Sequence, residues 1–206
     1  SDLTTEQTAA LADFARGHRV TMHALVTGAT LTAERRLAGG TGPELLLTSS
    51  AVDLRGAPPE PMAPLDGTNI IAVVPDGIVV DADTSWVDAG RAIIDRIRAD
   101  RRSGTILARS LLASDDLAAL LAAPPMSFVT NVGAVADIPT PPGVQITDLR
   151  FAFPNQVTRS ITYVVTCWRG RLRIDVLYPM LGLQPDRAAR LRTYLTSLLT
   201  LNVRFR

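Results

Sequence analysis

Lysine is absent from this chain of 206 residues, so all 21 of its basic residues are arginine. An arginine-only composition is what a GC-rich genome produces, and it indicates a bacterial source. The 20 acidic residues leave a net charge of +1. The strong basic excess of a protein that binds nucleic acid electrostatically is therefore excluded.

Residues for disulfide and metal chemistry are also scarce. The single cysteine, Cys167, cannot form an internal disulfide, and its apolar surroundings predict that it packs as a small hydrophobe. The two histidines, His18 and His23, have no cysteine or carboxylate partner at the spacing of a metal site. We therefore expect no metal site and a structural role for both histidines.

Long apolar runs are missing as well. The longest uncharged apolar stretches lie around 70–74 and 161–168, far short of the ~18 residues that span a bilayer, and no signal peptide opens the chain. These observations predict a cytoplasmic protein with no transmembrane segment. The chain starts at Ser1 without a methionine, which indicates a cleaved, trimmed or excerpted start.

The hydrophobic content of 47% is that of a globular protein, and the residue pattern mixes helices with strands. Helices are predicted over 4–17, 22–37, 85–102 and 106–121, with a break near Ser114, and again from Pro185 onward. Thr4 and Gln7 have the spacing of a capping box, Thr21 can cap the second helix, and Thr84 or Ser85 can cap the third. Strands are predicted over 45–54, 69–74, 126–132, 145–153, 160–168 and 171–178. A proline-rich connection follows Gly56, and Arg169-Gly170 predicts a hairpin turn. Because the elements do not alternate strictly, we expect an α/β fold with a mixed sheet and flanking helices.

The residues taken one by one reveal no catalytic motif. There is no glycine-rich phosphate loop, no G-x-S-x-G elbow and no paired cysteine motif. Polar residues follow several predicted strands, namely Asp53 and Arg55, then Asp66 to Asn69, then Thr130 and Asn131. Strand ends present site residues, but aspartate and asparagine also build turns there, so both interpretations stay open.

Taken together, these segments resemble the C-terminal half of the condensation-domain and CoA-dependent acyltransferase superfamily. Within it the chain is similar to polyketide-associated acyltransferases of the phthiocerol/phthiodiolone dimycocerosyl transferase type, which also suggests an actinobacterial source. The segments that carry the resemblance are V-T-M-H-A-L-V at 20–26, A-V-D-L-R at 51–55, D-G-T-N at 66–69, F-V-T-N-V-G at 128–133, P-P-G-V-Q-I-T-D at 141–148 and G-R-L-R at 170–173.

The resemblance implies a chloramphenicol-acetyltransferase-like half-domain over residues 1–206. In such enzymes two similar halves enclose an active-site tunnel, and the signature His-His-x-x-x-Asp-Gly lies in the N-terminal half. That signature does not occur in this chain. The resemblance therefore implies that the general base belongs to a partner half, and that the chain is a fragment, a proteolytic product or one chain of a two-chain enzyme.

The same resemblance suggests site residues. Thr130 and Asn131 align with the strand end where related transferases place a hydroxyl near the oxyanion, although a turn-forming role for Asn131 stays open. Asp53 and Arg55 are candidates for substrate binding, with mutual pairing as the structural alternative. Gly67, Asn69 and Gly133 are expected to line or shape the tunnel.

The implied function is transfer of an acyl group from a thioester to a hydroxyl acceptor in lipid or polyketide metabolism. The donor is acyl-CoA or a phosphopantetheine-carried acyl group, and no bound cofactor is expected. The implied partners are the N-terminal half, an acyl carrier protein and a lipid-like acceptor. Two alternatives stay open: an amide-forming condensation domain of peptide assembly lines, and a non-catalytic module that docks carrier proteins.

Overall fold

The computed structural model describes residues 1–39, 41–56, 70–112, 124–152, 160–179 and 182–201. These residues form five helices and five strands that follow one another along the chain. The elements are α1 (Thr5–Gly17), α2 (Met22–Ala38), β1 (Glu44–Asp53), β2 (Ile71–Val80), α3 (Trp86–Arg102), α4 (Thr105–Leu112), β3 (Ser127–Val135), β4 (Thr162–Trp168), β5 (Arg171–Leu177) and α5 (Pro185–Leu201).

The helix ends follow local rules that the sequence displays. Thr4 accepts a hydrogen bond from the Gln7 backbone while the Gln7 side chain accepts one from the Thr4 backbone, so the predicted capping box of α1 is confirmed. Thr21 caps α2, which ends at Gly39 in the left-handed conformation with φ of 75°. Of the two candidate N-caps of α3, Thr84 and Ser85, it is Ser85 that caps the helix. These ends needed no tertiary information.

The five strands form one mixed sheet in the order β2-β1-β3-β4-β5. The central strands β1, β3 and β4 run parallel, and an antiparallel hairpin closes each side. Arg169 and Gly170 form the tight turn of the β4–β5 hairpin, with φ of 49° and 73°. The predicted mixed sheet with flanking helices is therefore confirmed.

One face of the sheet packs against helices. Val52, Ala72 and Val74 pack against Ile93 and Ile97 of α3. On the same face of the sheet, next to β4 and β5, a second cluster forms. In it Tyr163, Val165 and Ile174 pack with residues from α1, α2 and α5. The hydrophobic core thus lies between the sheet and a single helical layer.

The second face of the sheet is covered unevenly. Near β4 and β5 the segment 147–151 crosses it, where the Phe151 backbone donates to Asp175 and the Arg173 guanidinium donates to the Leu149 carbonyl. Over β1 and β2 the same face is open to solvent. Its exposed aliphatic residues are Leu45, Ile71, Val73 and Val79, each at least half exposed. This open apolar face is unusual for a sheet that stands alone.

Two sequence predictions differ from the structure. The strand predicted over 145–153 is wrong, since residues 145–152 have no regular secondary structure. Side chains of β5 form hydrogen bonds with the backbone of this segment at Leu149 and Phe151. These backbone groups therefore do not require a neighbouring strand as a hydrogen-bond partner. Conversely, β2 extends past the predicted end at Val74, because an edge strand tolerates Pro75.

Several predicted features lie partly outside the described residues. Helix α4 confirms the first part of the helix predicted over 106–121, but the break near Ser114 lies outside. Most of the proline-rich connection after Gly56 lies outside as well. Among the described residues, no helix is both long and apolar enough to cross a membrane.

Candidate active site

The carboxyl end of β1 holds a local ion pair. The Oδ1 atom of Asp53 accepts hydrogen bonds from the Arg55 backbone at 2.9 Å and from the Arg55 guanidinium at 3.3 Å. The pKa of Asp53 is lowered, chiefly by the backbone hydrogen bond and then by the nearby Arg55 and Arg101 charges. The two residues therefore pair with each other, which is the structural alternative that the sequence left open. The carboxylate remains largely exposed, with 61% of its side chain accessible.

The middle of β3 carries a bulge built around Asn131, because the strand continues to Val135 and does not end at 132 as predicted. Its Oδ1 atom accepts a hydrogen bond from the Gly133 backbone at 2.9 Å, and the register with β4 shifts between these two residues. Gly133 has a φ of 80°, a conformation that favours glycine. The oxygen of Asn131 thus shapes the bulge, while its side-chain amide group is exposed and can still donate a hydrogen bond.

Thr130 lies directly before this bulge. Val129 faces the helices beside Ser50, so Thr130 belongs to the second face of the sheet. Its side chain is half-buried, and its hydroxyl has no hydrogen-bond partner among the described residues. A hydroxyl held on a rigid strand without an internal acceptor is a donor available to a ligand.

The structure brings most of the candidate residues to one place. Because β1 and β3 are parallel and Ser50 lies beside Val129, the carboxyl end of β1 lies alongside the bulge in the middle of β3. Asp53 shares the second face with Thr130, since the face of a strand alternates along the chain. Gly67 and Asn69 lie outside the described residues. The candidate site is therefore built from Asp53, Arg55, Thr130, Asn131 and Gly133.

Neither histidine belongs to this site. His23 lies on the helical side of the sheet, where its Nε2 is 3.1 Å from the Ser50 hydroxyl, and burial lowers its pKa to about 4. His18 lies at the end of α1, where its Nδ1 is 2.9 Å from the Phe14 carbonyl and its ring packs on Phe14. These contacts agree with the predicted structural roles. Among the described residues, no three or more histidine, cysteine or acidic side chains group as metal ligands would.

Sequence reasoning missed a buried polar cluster at the opposite end of the sheet. The carboxylate of Glu34 accepts hydrogen bonds from the Tyr163 hydroxyl at 2.6 Å and the Ser127 hydroxyl at 2.5 Å. Burial raises the pKa of Glu34, and the two donors offset part of that rise. The only signal in the sequence was a tyrosine inside an apolar strand, because a buried tyrosine hydroxyl requires a partner.

Solved structures of similar architecture define the class of fold. Polyketide synthase associated protein 5 from Mycobacterium tuberculosis superposes with a TM-score of 0.74 at 23% identity, covering 97% of this chain and 52% of that protein. Trichothecene 15-O-acetyltransferase from Fusarium sporotrichioides superposes with a TM-score of 0.79 at 12% identity, covering 97% of this chain and 45% of that protein. The chain therefore has the chloramphenicol-acetyltransferase-like fold of acyltransferases and condensation domains, as predicted.

The sequence comparison then assigns the family. The chain belongs to the family described as phthiocerol/phthiodiolone dimycocerosyl transferase C-terminus, whose model matches residues 1–177. The phthiocerol/phthiodiolone dimycocerosyl transferase of Mycobacterium leprae is 31% identical over an alignment of 177 residues that covers 84% of this chain and 41% of that protein. The predicted resemblance is confirmed. The chain spans about two fifths of the length of the curated relatives that it matches.

Proposed function

We propose that this chain supplies the C-terminal half of an acyltransferase that moves an acyl group from a thioester to a hydroxyl acceptor in lipid or polyketide metabolism. The observation that carries the proposal is the family match over residues 1–177 on an acyltransferase-type fold. The donor is an acyl-CoA or an acyl group on a carrier-protein phosphopantetheine arm. The acceptor is a lipid-like alcohol.

In the proposed reaction the acceptor oxygen attacks the thioester carbonyl. A general base removes the hydroxyl proton, the carbonyl oxygen becomes an oxyanion, and the carbon–sulfur bond breaks to release the thiol, which takes up the proton. The oxyanion requires a fixed donor, and the Thr130 hydroxyl, which has no hydrogen-bond partner among the described residues, fits that role. The exposed amide group of Asn131 is the second candidate donor, because its oxygen is already held by Gly133.

The general base has to come from a partner half that carries the His-His-x-x-x-Asp-Gly signature. Both histidines of this chain are engaged on the helical side or at the end of α1, away from Thr130. The open apolar face of β1 and β2 supports such a partner. Leu45 is 62% exposed and Val73 is 60% exposed, which is the kind of surface that a second half-domain covers.

Arg55 is the proposed contact for the phosphate-bearing part of the donor. Its guanidinium lies beside an exposed carboxylate at the same end of the sheet as Thr130, and it can exchange that partner for a phosphate without leaving a buried charge. A carrier protein that presents its phosphopantetheine arm at this end of the sheet is the matching partner. Gly67 and Asn69 stay predictions as tunnel-lining residues.

The test starts from native and denaturing mass spectrometry of the purified protein, which reveals whether a half carrying the His-His signature accompanies the chain. The assembled protein is then mixed with an acyl-CoA and a long-chain diol, and release of free thiol and formation of the ester are measured together. We expect ester and thiol in equal amounts. Thiol release without ester, or neither product from an assembled and folded enzyme, would overturn the proposal.

A further inference from the structure

A cavity of about 200 Å³ lies beside the β4–β5 hairpin, under the segment that crosses the second face of the sheet. Its volume is several times the ~30 Å³ that one water occupies in the liquid. Residues from the sheet form its floor, and residues of the crossing segment form its roof. The lining residues are Asp2, Leu3, Thr147, Asp148, Leu149, Thr166, Trp168, Arg169, Arg171, Leu172 and Arg173.

Two of the three arginines of this cavity are already engaged. Arg173 donates to Asp2, to Asp148 and to the Leu149 carbonyl. It therefore fixes the crossing segment to β5. Arg169 donates to Asp137 at 2.7 Å and lies over the Trp168 ring, 4.3 Å from its centroid. Both guanidinium groups therefore have carboxylate partners.

Two donors in the same cavity have no acceptor. The guanidinium of Arg171 makes no hydrogen bond or ion pair with any described residue. The pKa of Glu6 is lowered first by the Thr4 side chain, and the charge of Arg171 is the smallest contribution to that lowering. The buried indole nitrogen of Trp168 also has no hydrogen-bond partner in the part of the chain that the structure describes. Trp168 and Arg171 are directly paired across the hairpin, so the two unused donors share one face.

We propose that this cavity binds the anionic oxygen group of a small molecule, a carboxylate or a phosphate. Arg171 supplies the charge, and the indole N–H of Trp168 supplies a directed hydrogen bond. Arg169 and Arg173 already have carboxylate partners, so Arg171 carries the positive charge that an anionic ligand balances. Leu3 and Leu172 belong to the buried core on the helical side, so Leu149 is the aliphatic side chain that can contact the rest of the ligand. This binding site is separate from acyl transfer and does not depend on it.

The experiment is a titration of the folded chain with sodium phosphate and with sodium acetate, followed by ¹H–¹⁵N NMR. The two indole N–H signals, from Trp86 and Trp168, are assigned by their loss in Trp168→Phe. We expect a saturable shift of the Trp168 signal with at least one of the two anions and no shift of the Trp86 signal. Sodium chloride at equal ionic strength should leave both signals in place.

Variants give the result that separates binding from general charge effects. Arg171→Gln should weaken binding about tenfold or more, because it removes a charged donor on an exposed side chain without disturbing the core. Arg36→Gln is the matched control, since Arg36 is an exposed arginine on α2 that is also unpaired among the described residues. Trp168→Phe keeps the ring and removes the N–H, and the Gly170 amide then reports weaker binding.

Three results would overturn the proposal. The first is the absence of any saturable shift with either anion. The second is a chloride titration that reproduces the shift. The third is an Arg171→Gln variant that binds as tightly as Arg36→Gln.

Discussion

The hydroxyl of Tyr163 on β4 donates a 2.6 Å hydrogen bond to the carboxylate of Glu34 on α2, across 129 residues of sequence. Tyr163 is fully buried, and burial together with the Glu34 charge raises its own pKa well above the ordinary value. The bond therefore connects the central sheet to the helical layer, and each of the two buried polar groups has the other as a hydrogen-bond partner.

Tyr163→Phe tests this bond. The variant leaves the Glu34 carboxylate with Ser127 as its remaining described donor, so we expect a loss of about 1–3 kcal/mol in the free energy of unfolding. Urea denaturation measures the loss. Tyr194→Phe is the control, because the Tyr194 hydroxyl makes only a 3.4 Å contact with exposed Arg190. Equal stability of the two variants would contradict the structural role of the Glu34 contact.

Gly28 and Gly90 let α2 and α3 approach each other closely. A Cβ atom on Gly28 would lie 1.8 Å from the carbonyl oxygen of Trp86, and one on Gly90 would lie 1.9 Å from that of Ala24. Gly28→Ala must push the two helix backbones apart, so we expect a loss of roughly 3 kcal/mol or more. Thermal or urea denaturation checks this. In Gly17→Ala the new methyl meets nothing within 4 Å, and that variant should be neutral or more stable by up to about 1 kcal/mol.

Stability should fall as the pH is lowered toward 4, because of His23. Burial lowers the pKa of this group to about 4, below the ordinary value of 6.5, so the unfolded chain takes up the proton first. The stability that neutral His23 preserves is complete above pH 6.5 and is lost progressively down to pH 4, by roughly 3 kcal/mol in total. His23→Asn should flatten that part of the profile. Ser50→Ala keeps the histidine buried and should retain the slope; a wild-type slope in His23→Asn would contradict the assignment.

Thr130 and Asn131 can be separated by paired substitutions in the assembled enzyme. Thr130→Val keeps the shape and removes the hydroxyl, and we expect kcat to fall by about 10²–10³ while Thr130→Ser retains most activity. Asn131→Asp keeps the oxygen that holds Gly133 and removes the amide donor. Steady-state kinetics with saturating thioester compares the variants. A normal kcat for Thr130→Val would contradict the role of Thr130 at the oxyanion. A normal kcat for Asn131→Asp would show that Asn131 only shapes the bulge.

The open apolar face predicts self-association of the chain when it is purified alone. Val73→Asp places a charge in the middle of that face, where the side chain is 60% exposed, so the fold should survive and association should fall several-fold. Sedimentation velocity over a concentration series measures this. Leu111→Asp is the matched control, since Leu111 is more exposed but lies on α4, away from the face. A reduction of the same size in both variants would show that net charge, not the face, is responsible.

Helix caps and tight turns, which depend only on residues close in sequence, could be predicted from the sequence. The capping box of Thr4 and Gln7, the cap at Thr21 and the turn at Arg169-Gly170 are short-range interactions, and each is confirmed. The family motifs predicted the class of fold because their order and spacing match those of the related transferases. Local residue patterns and the family resemblance together therefore predicted the architecture.

Interactions between distant residues were decided by the tertiary structure alone. The pairing of Tyr163 with Glu34, and of His23 with Ser50, depends on which helix crosses which strand, and no local pattern encodes that choice. The segment 145–152 has the composition of a strand, yet it stays irregular because Arg173 and Asp175 of β5 satisfy its backbone. Composition and spacing determine which residues form caps, turns and apolar stripes. Only the folded sheet determines which polar groups meet, because burial makes each of them require a partner that lies far away in the chain.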